Sequence, residues 1–318
     1  NGGGLATYTI TQAQASGVLS GSNSRTYDGQ ATTPAEVNSN GQIGVTVTFP
    51  GVTDANKTYI LKDGDYEWSS GSAPTNAGSV YHIVLTDAGV AKIQQAVGDN
   101  YKISQGPSFG TLVINKAQAS AEFSGNPSYT YTGSPNSDYL NGFSIKLNEP
   151  NNPTYNLVVG DIEFNVDGTW TTTVPVNVGK YEVRLTQAGW QKVQNAIAGN
   201  ADYIWNYQGE GNYHIEKVTA TITLAGSGST IYTGISVVIP ATDGVVNGIN
   251  VKLSNGQTYV LKPTDLEFVN DQGNPIPAPT DAGSYKVRLT ETVLGQIRNL
   301  ESNHYNYTYN NDVIDFTI

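Results

Sequence analysis

Three tyrosine–glycine turns set at near-equal spacing constrain this chain more than anything else in it. Tyr27-Asp28-Gly29, Tyr131-Thr132-Gly133 and Tyr232-Thr233-Gly234 lie 104 and 101 residues apart. A second motif keeps the same step: Asn76-Ala77-Gly78, Asn177-Val178-Gly179 and Asp281-Ala282-Gly283. Each copy of that motif opens a strand-like run, such as Tyr181-Glu182-Val183-Arg184-Leu185-Thr186 and Tyr285-Lys286-Val287-Arg288-Leu289-Thr290. Self-similarity at a fixed period sets the architecture before any other argument. The chain is predicted to be three tandem units, residues 11–114, 115–215 and 216–318. Residues 1–10 then form a Gly-rich leader whose Leu5-Ala6-Thr7-Tyr8-Thr9-Ile10 reads as the last strand of a preceding unit.

Within each unit most segments alternate β-branched or aromatic residues with polar ones between Gly, Asn, Asp and Pro, which is the pattern of half-buried strands. Ile43–Phe49, Phe143–Leu147 and Ile249–Leu253 are equivalent strands. The runs starting at Thr58, Thr154 and Thr258 are predicted to return as hairpin partners. One helix is expected per unit. Thr86, Thr186 and Thr290 stand at its N-cap, where a hydroxyl can accept an orphan backbone N–H. Val90, Ile93 and Val97 make its apolar stripe, matched by Trp190, Val193 and Ile197 and by Leu294, Ile297 and Leu300. Gly98 and Gly199 are positioned to end the first two helices. A tyrosine-rich strand follows, and the last strand of each unit runs straight into the next. No flexible linker intervenes, so a stiff monomeric rod is expected, at about 30–40 Å per unit.

Composition narrows the chemistry. There is no cysteine, which excludes disulfides and thiolate metal sites. Asp and Glu number 27 against 16 Lys and Arg, a net charge of −11 without a basic stripe. Binding to nucleic acid or an anionic membrane through phosphates is not expected. No apolar run is long enough to span a membrane as a helix. No nucleophile elbow, phosphate loop or zinc spacing occurs, and the expected reading is a protein with no catalytic residues and no cofactor.

The acidic pairs Asp65/Glu67, Asp161/Glu163 and Asp265/Glu267 recur before an aromatic residue. On a strand both carboxylates would face solvent, with a weak cation site as the functional alternative, because so few oxygens are at hand. The aromatic residues that differ between units are better ligand-binding candidates: Trp170, and Trp205, Tyr207, Tyr307 and Tyr309 on the tyrosine-rich strands. Exposed rings beside amides and carboxylates suit sugars; the bland alternative packs the stripe against the helix. Lys116 and Lys217 invite comparison with isopeptide staples, but unit 1 carries Gln12 there, which favours ordinary edge lysines.

The combination of Tyr-Asp/Thr-Gly, Asp/Asn-Ala/Val-Gly-x-Tyr-x-Val-x-Leu, a helix and Asn-Tyr resembles the MBG/YDG repeats of mucus-binding surface adhesins of lactobacilli and related Gram-positive bacteria. The resemblance covers the whole chain three times. It implies a β-rich α+β fold, each domain a mixed sheet with one helix similar to the β-grasp; an immunoglobulin-like sandwich with an inserted helix is the alternative. It also implies an extracellular, cell-wall-anchored adhesin whose partners are mucin or other host glycoproteins and glycans, bound weakly per repeat. A ligand-free stalk and an accessory region of a surface glycoside hydrolase are the other readings.

Overall fold

The computed structural model describes residues 3, 5–49, 51, 57–105, 108–148, 155–239 and 246–318. Thr154, at the start of one expected hairpin strand, lies outside them. By spatial contact the chain divides into two compact units. The first comprises residues 1–124, 144–161 and 185–209, and the second 125–143, 162–184 and 210–318. Repeat 1 falls wholly in the first and repeat 3 wholly in the second.

In repeat 1 the elements are β1 (Ala13–Thr26), a short α1 (Pro34–Val37), β2 (Ile43–Thr48), β3 (Lys57–Ile60), β4 (Tyr66–Trp68), β5 (Val80–Leu85), α2 (Asp87–Val97), β6 (Tyr101–Gln105) and β7 (Gly110–Asn115). They form one mixed sheet of order β3-β2-β1-β7-β5-β4, with β6 also on β1. The first half of β1 runs parallel to β6 and its second half parallel to β7. The handover occurs at Gly21, with φ 97°, where a Cβ would meet the Gln42 carbonyl oxygen at 2.0 Å. Only glycine can make that turn without strain. Ala15, Leu19, Val45, Ile83 and Ile93 share the core beneath helix α2. Burying a side chain such as Ile93 stabilises by about 1.5–3 kcal/mol.

Repeat 2 contains β8 (Ala117–Gly125), β9 (Ser128–Thr130), β10 (Phe143–Asn148), β11 (Ile162–Val166), β12 (Thr169–Thr171), β13 (Gly179–Leu185), α3 (Gln187–Asn195), β14 (Tyr203–Gln208) and β15 (Gly211–Glu216). Its sheets are β10-β8-β14, in the first unit except for the ends of β8 and β10, and β12-β11-β13-β15-β9, in the second but for Leu185. Repeat 3 contains β16 (Val218–Ala225), β17 (Gly228–Ser229), β18 (Asn250–Leu253), β19 (Leu266–Val269), β20 (Ser284–Leu289), α4 (Glu291–Arg298), β21 (Tyr305–Tyr309) and β22 (Ile314–Thr317). Its sheets are β18-β16-β21 and β17-β22-β20-β19. The core of repeat 3 joins Ile222, Leu253, Phe268, Val287, Ile297 and Phe316, from both sheets and the helix.

The fold is thus β-rich with mixed sheets and, among the described residues, one full-length helix per repeat. Each helix crosses from an antiparallel strand to one parallel with the repeat's first strand: β6 on β1, β14 on β8, β21 on β16. That crossover is the β-grasp-like feature; an immunoglobulin sandwich is built of antiparallel sheets. The three threonine caps form as expected, their hydroxyls accepting from Gly89, Gly189 and Val293 N–H. Gly98 caps α2, but α3 is capped by Ala196, and Gly199 instead sits in the left-handed region opening a 3-10 turn, Asn200–Asp202. Among the described residues the expected hairpin return forms only in repeat 1, as β3 on β2. Residues 155–158 and 258–261 carry no strand; Tyr155 and Tyr259 are tied through their hydroxyls to buried aspartates, as Tyr59 of β3 is. Leu5, Tyr8 and Ile10 are almost fully exposed, outside any strand.

Candidate functional site

The aspartates of the acidic pairs do not lie on a solvated face, whereas Glu67 is exposed and Glu163 and Glu267 are half-exposed. Asp65 and Asp161 are fully buried and Asp265 is 8% exposed. Each sits just before its strand rather than in it, so the alternation argument does not reach it. Asp65 Oδ2 accepts from the Tyr59 hydroxyl at 2.9 Å and the Lys62 N–H at 2.7 Å, and Oδ1 from Lys92 Nζ at 2.6 Å. Asp161 repeats the set with Tyr155, the Val158 N–H and Lys192. Asp265 keeps the tyrosine and amide, from Tyr259 and Lys262, while Gln296 stands where the lysine was and accepts from the Tyr259 hydroxyl. Burial pushes the Asp65 carboxyl up, but Lys92, the Lys62 amide and Tyr59 outweigh it and hold it below its ordinary value. Burial, with the neighbouring aspartate, pushes the Tyr155 and Tyr259 hydroxyls up to about 12. These oxygens are committed to folding. Their partners at 67, 163 and 267 lie apart from them: Glu163 and Glu267 each take an arginine, Arg184 and Arg288, at 2.8 Å. Among the described residues no three His, Asp or Glu side chains cluster as metal ligands would.

Trp205 and Tyr207 share one face of β14, and helix α3 brings Trp190 onto them. The rings of Trp190 and Trp205 meet edge-on at 5.8 Å, and Trp190 and Tyr207 at 5.5 Å. Trp205 Nε1 donates to the Asn200 carbonyl, and the Tyr207 hydroxyl accepts from the Leu185 N–H. The stripe packs against the helix and is half-buried. In repeat 3 the Tyr307 hydroxyl accepts from Asn255 Nδ2, and the Tyr309 hydroxyl donates to the Asp312 carbonyl at 2.5 Å. Both rings flank the core of that repeat. Lys116 and Lys217 are exposed.

Trp170 belongs to a different surface. On β11 and β13 the odd-and-even rule of strands sends Phe164, Val183 and Leu185 inward and Glu163, Asn165, Lys180, Glu182 and Arg184 to the opposite side. Register then aligns a row across four strands. Trp170 pairs with Asn165, Asn165 Nδ2 donates to Glu182 at 2.9 Å, and Glu182 lies opposite Asn212. Lys180 lies opposite His214, which faces Ser128 on β9. The Arg184 guanidinium stacks 3.9 Å from the centre of the Trp170 ring and is held there by Glu163. Asn165, Lys180, Glu182 and Asn212 line a groove of about 390 Å³. Two polar atoms here, Asn165 Oδ1 and His214 Nε2, are shielded and have no hydrogen-bond partner among the described residues. Such atoms are uncommon in folded proteins.

The other repeats do not reproduce this surface. In repeat 1 Val84 stands opposite Glu67 and Val80 opposite Val113, and Phe109 covers His82 at 4.4 Å. In repeat 3 Arg288 and Glu267 pair as their counterparts do, but no tryptophan accompanies them. Sequence reasoning singled out Trp170 for lacking an aromatic counterpart and missed Asn165, Lys180, Glu182, Asn212 and His214. The available signal was the polar member of every inward–outward pair around Trp170; what was missing was the strand order that sets those residues side by side.

The sequence profile of the MBG domain matches residues 14–116, 118–217 and 219–318. No curated protein matches the chain. Among solved structures, a cell surface adhesin from Lactobacillus reuteri aligns at 23% identity, over 30% of this chain and 93% of its own, with a TM-score of 0.25.

Proposed function

Since the chain belongs to the MBG domain family, in three tandem copies, we propose that it is the repeat region of an extracellular, wall-attached bacterial adhesin without enzymatic activity. Its ligand is a glycan of mucin or another host glycoprotein. The modules are taken as residues 11–114, 115–215 and 216–318. The observation that carries the reading is the registered row Trp170–Asn165–Glu182–Asn212 over its groove on repeat 2. A half-exposed indole offers an apolar face to the C–H side of a sugar ring, while amides and a carboxylate take hydroxyl groups. Lys180 is balanced by Glu182 in the groove and Arg184 is paired with Glu163, so the face suits polar, uncharged sugar hydroxyls rather than selecting by net charge. One groove of this size binds weakly. Strength comes from the density of glycans on one side and of adhesin copies on the other.

The test is binding of the intact chain to a glycan array and to purified mucin, beside Trp170→Ala and Asn212→Ala variants. Binding that both variants weaken supports the reading. A folded chain that binds no glycan, or binds unchanged in both variants, removes it and leaves a structural stalk. The stalk reading has its own support in the joints between repeats, where Asp202 of repeat 2 accepts the Ala77 N–H of repeat 1 at 2.6 Å.

A further inference from the structure

The tyrosine of the Tyr-x-Gly turn does the same thing in the first two repeats. Tyr27 packs edge-on against Tyr203 of repeat 2, ring centres 5.3 Å apart. Its hydroxyl lies so close over Gly199 that a Cβ there would stand 2.7 Å from it. Tyr131 packs edge-on against Tyr305 of repeat 3 at 5.8 Å and stacks flat on His304 at 4.2 Å, the planes 4° apart. In both cases the tyrosine receives the corner between the helix and the tyrosine-rich strand of the next repeat, Asp202-Tyr203 or His304-Tyr305. At the first joint the corner also takes a backbone N–H from the Asn76-Ala77-Gly78 loop.

Repeat 3 presents the same tyrosine uncovered. Tyr232 is 57% exposed, and Ile231 and Ile235 beside it are 84% and 68% exposed. The equivalents of those isoleucines are Thr26 and Gln30 in repeat 1 and Thr130 and Ser134 in repeat 2. The site is nonetheless built like the occupied ones. The hydroxyl of Tyr27, Tyr131 or Tyr232 folds back over its own turn glycine to the same extent: a Cβ on Gly29, Gly133 or Gly234 would lie 3.9, 3.8 and 3.8 Å from it. Gly283 pairs with Ile318 as Gly78 pairs with Ile114, so the loop bearing Ala282 is held as the loop bearing Ala77 is. Contiguous exposed apolar residues of this size mark a contact surface rather than a solvent face.

We propose that Tyr232, Ile231 and Ile235 form a docking socket for a further repeat of the same kind, joined after Ile318. The occupant is that repeat's helix–strand corner: a tyrosine set against the Tyr232 ring, preceded by Asp, Asn or His. With Asp in that place, its carboxylate accepts the Ala282 N–H. The isoleucines make this joint more apolar than the two already present, so it closes with more hydrophobic area and fewer hydroxyls.

The experiment extends the full chain at Ile318 with a copy of residues 115–215, the register in which Ile114 and Ile215 run on into their successors. Nitration of Tyr232 by tetranitromethane is followed by peptide mass spectrometry, with Tyr27 and Tyr131 as internal references. In the unextended chain Tyr232 reacts faster than Tyr131; in the extended chain its rate falls to that of Tyr131. An extension carrying Tyr203→Ala in the appended copy leaves Tyr232 open. Unchanged reactivity in an extended chain whose added repeat is folded by circular dichroism overturns the proposal. So does protection of Tyr232 in the unextended chain that grows with protein concentration, which assigns the socket to a second copy instead. A second measurement needs no extension. Tyr131→Ala in the original chain speeds diethyl pyrocarbonate modification of His304, and no acceleration would show that the template joint is not held by this contact.

Discussion

Lys192 Nζ lies 2.7 Å from the Oδ1 of Asp161, a carboxylate with no exposure, while the lysine itself is half in solvent. The asymmetry decides what each partner is worth. Removing the aspartate strips the Tyr155 hydroxyl and the Val158 N–H of their acceptor as well, and both groups are part-buried. Removing the lysine leaves two of the three donors in place.

The first prediction follows directly. Asp161→Ala destabilises by about 3 kcal/mol, since a part-buried donor without a partner costs about 1–3 kcal/mol and two are orphaned. Lys192→Ala costs about 1 kcal/mol, because its charge stays hydrated in the unfolded and largely in the folded state. Urea denaturation of the two variants measures the order; a lysine variant as damaged as the aspartate variant would contradict it.

The response to acid runs through Asp65. Its folded pKa lies below the ordinary 3.8. A carboxyl lowered on folding contributes stability that is present above the unfolded value and disappears as pH falls through the folded one. Stability of repeat 1 is therefore flat with respect to this group above pH about 5 and drops below about 4. Asp65→Asn lowers stability at neutral pH and flattens that drop, as hydrogen exchange of β2 and β5 between pH 3 and 6 records.

Alkali acts on the tyrosines of the same clusters. Tyr155 and Tyr259 are held at about 12 against an ordinary 10.0. A group raised on folding stabilises fully below its unfolded value, and the contribution is lost as pH rises through the folded one. Denaturant midpoints therefore fall between pH 10 and 12, and the fall is smaller in Tyr155→Phe and Tyr259→Phe variants. Ultraviolet titration of phenolate in the folded chain places the two hydroxyls in a late group with Tyr66, Tyr213 and Tyr309, which burial raises to about 12 as well.

Gly189 offers a test of sign. Glycine to alanine inside a helix usually stabilises by about 1 kcal/mol. Here a Cβ would stand 2.3 Å from the Asp161 carbonyl oxygen, and at Gly89 it would stand 2.1 Å from that of Asp65. Gly89→Ala and Gly189→Ala are expected to destabilise by about 2 kcal/mol or more, the range for overpacking against rigid backbone. Thermal melts that rise instead would mean the helix can shift to admit the methyl group; in repeat 3 Val293 occupies the equivalent place and Asp265 is 8% exposed.

The two candidate tryptophans should separate cleanly. Trp205→Ala empties the contact with Trp190 and costs about 3 kcal/mol of stability. Trp170→Ala, on the outer sheet face, costs about 1 kcal/mol, the cation–π contact with Arg184 included. If Trp170→Ala melts the chain as far as Trp205→Ala does, the outer-face placement is wrong.

Much of this could be seen in the linear chain. The repeat, the Thr86, Thr186 and Thr290 caps, the apolar stripes of the helices and most strand positions follow from period and local chemistry, because caps and alternation act over a few residues. The burial of Asp65, Asp161 and Asp265 was invisible there. A carboxylate followed by a strand looks like a solvated edge until the tyrosine six residues earlier and a helical lysine close over it. The Trp170 row was equally hidden, since Asn165, Glu182 and Asn212 are distant in the chain and become neighbours only through strand order and register. The joints at Tyr27 and Tyr131 belong to the same class. Sequence alone determined how many modules there are and what each is made of, since those depend on short-range spacing. Which residues meet across them was settled by tertiary structure, since long-range pairing places side chains that no local rule connects.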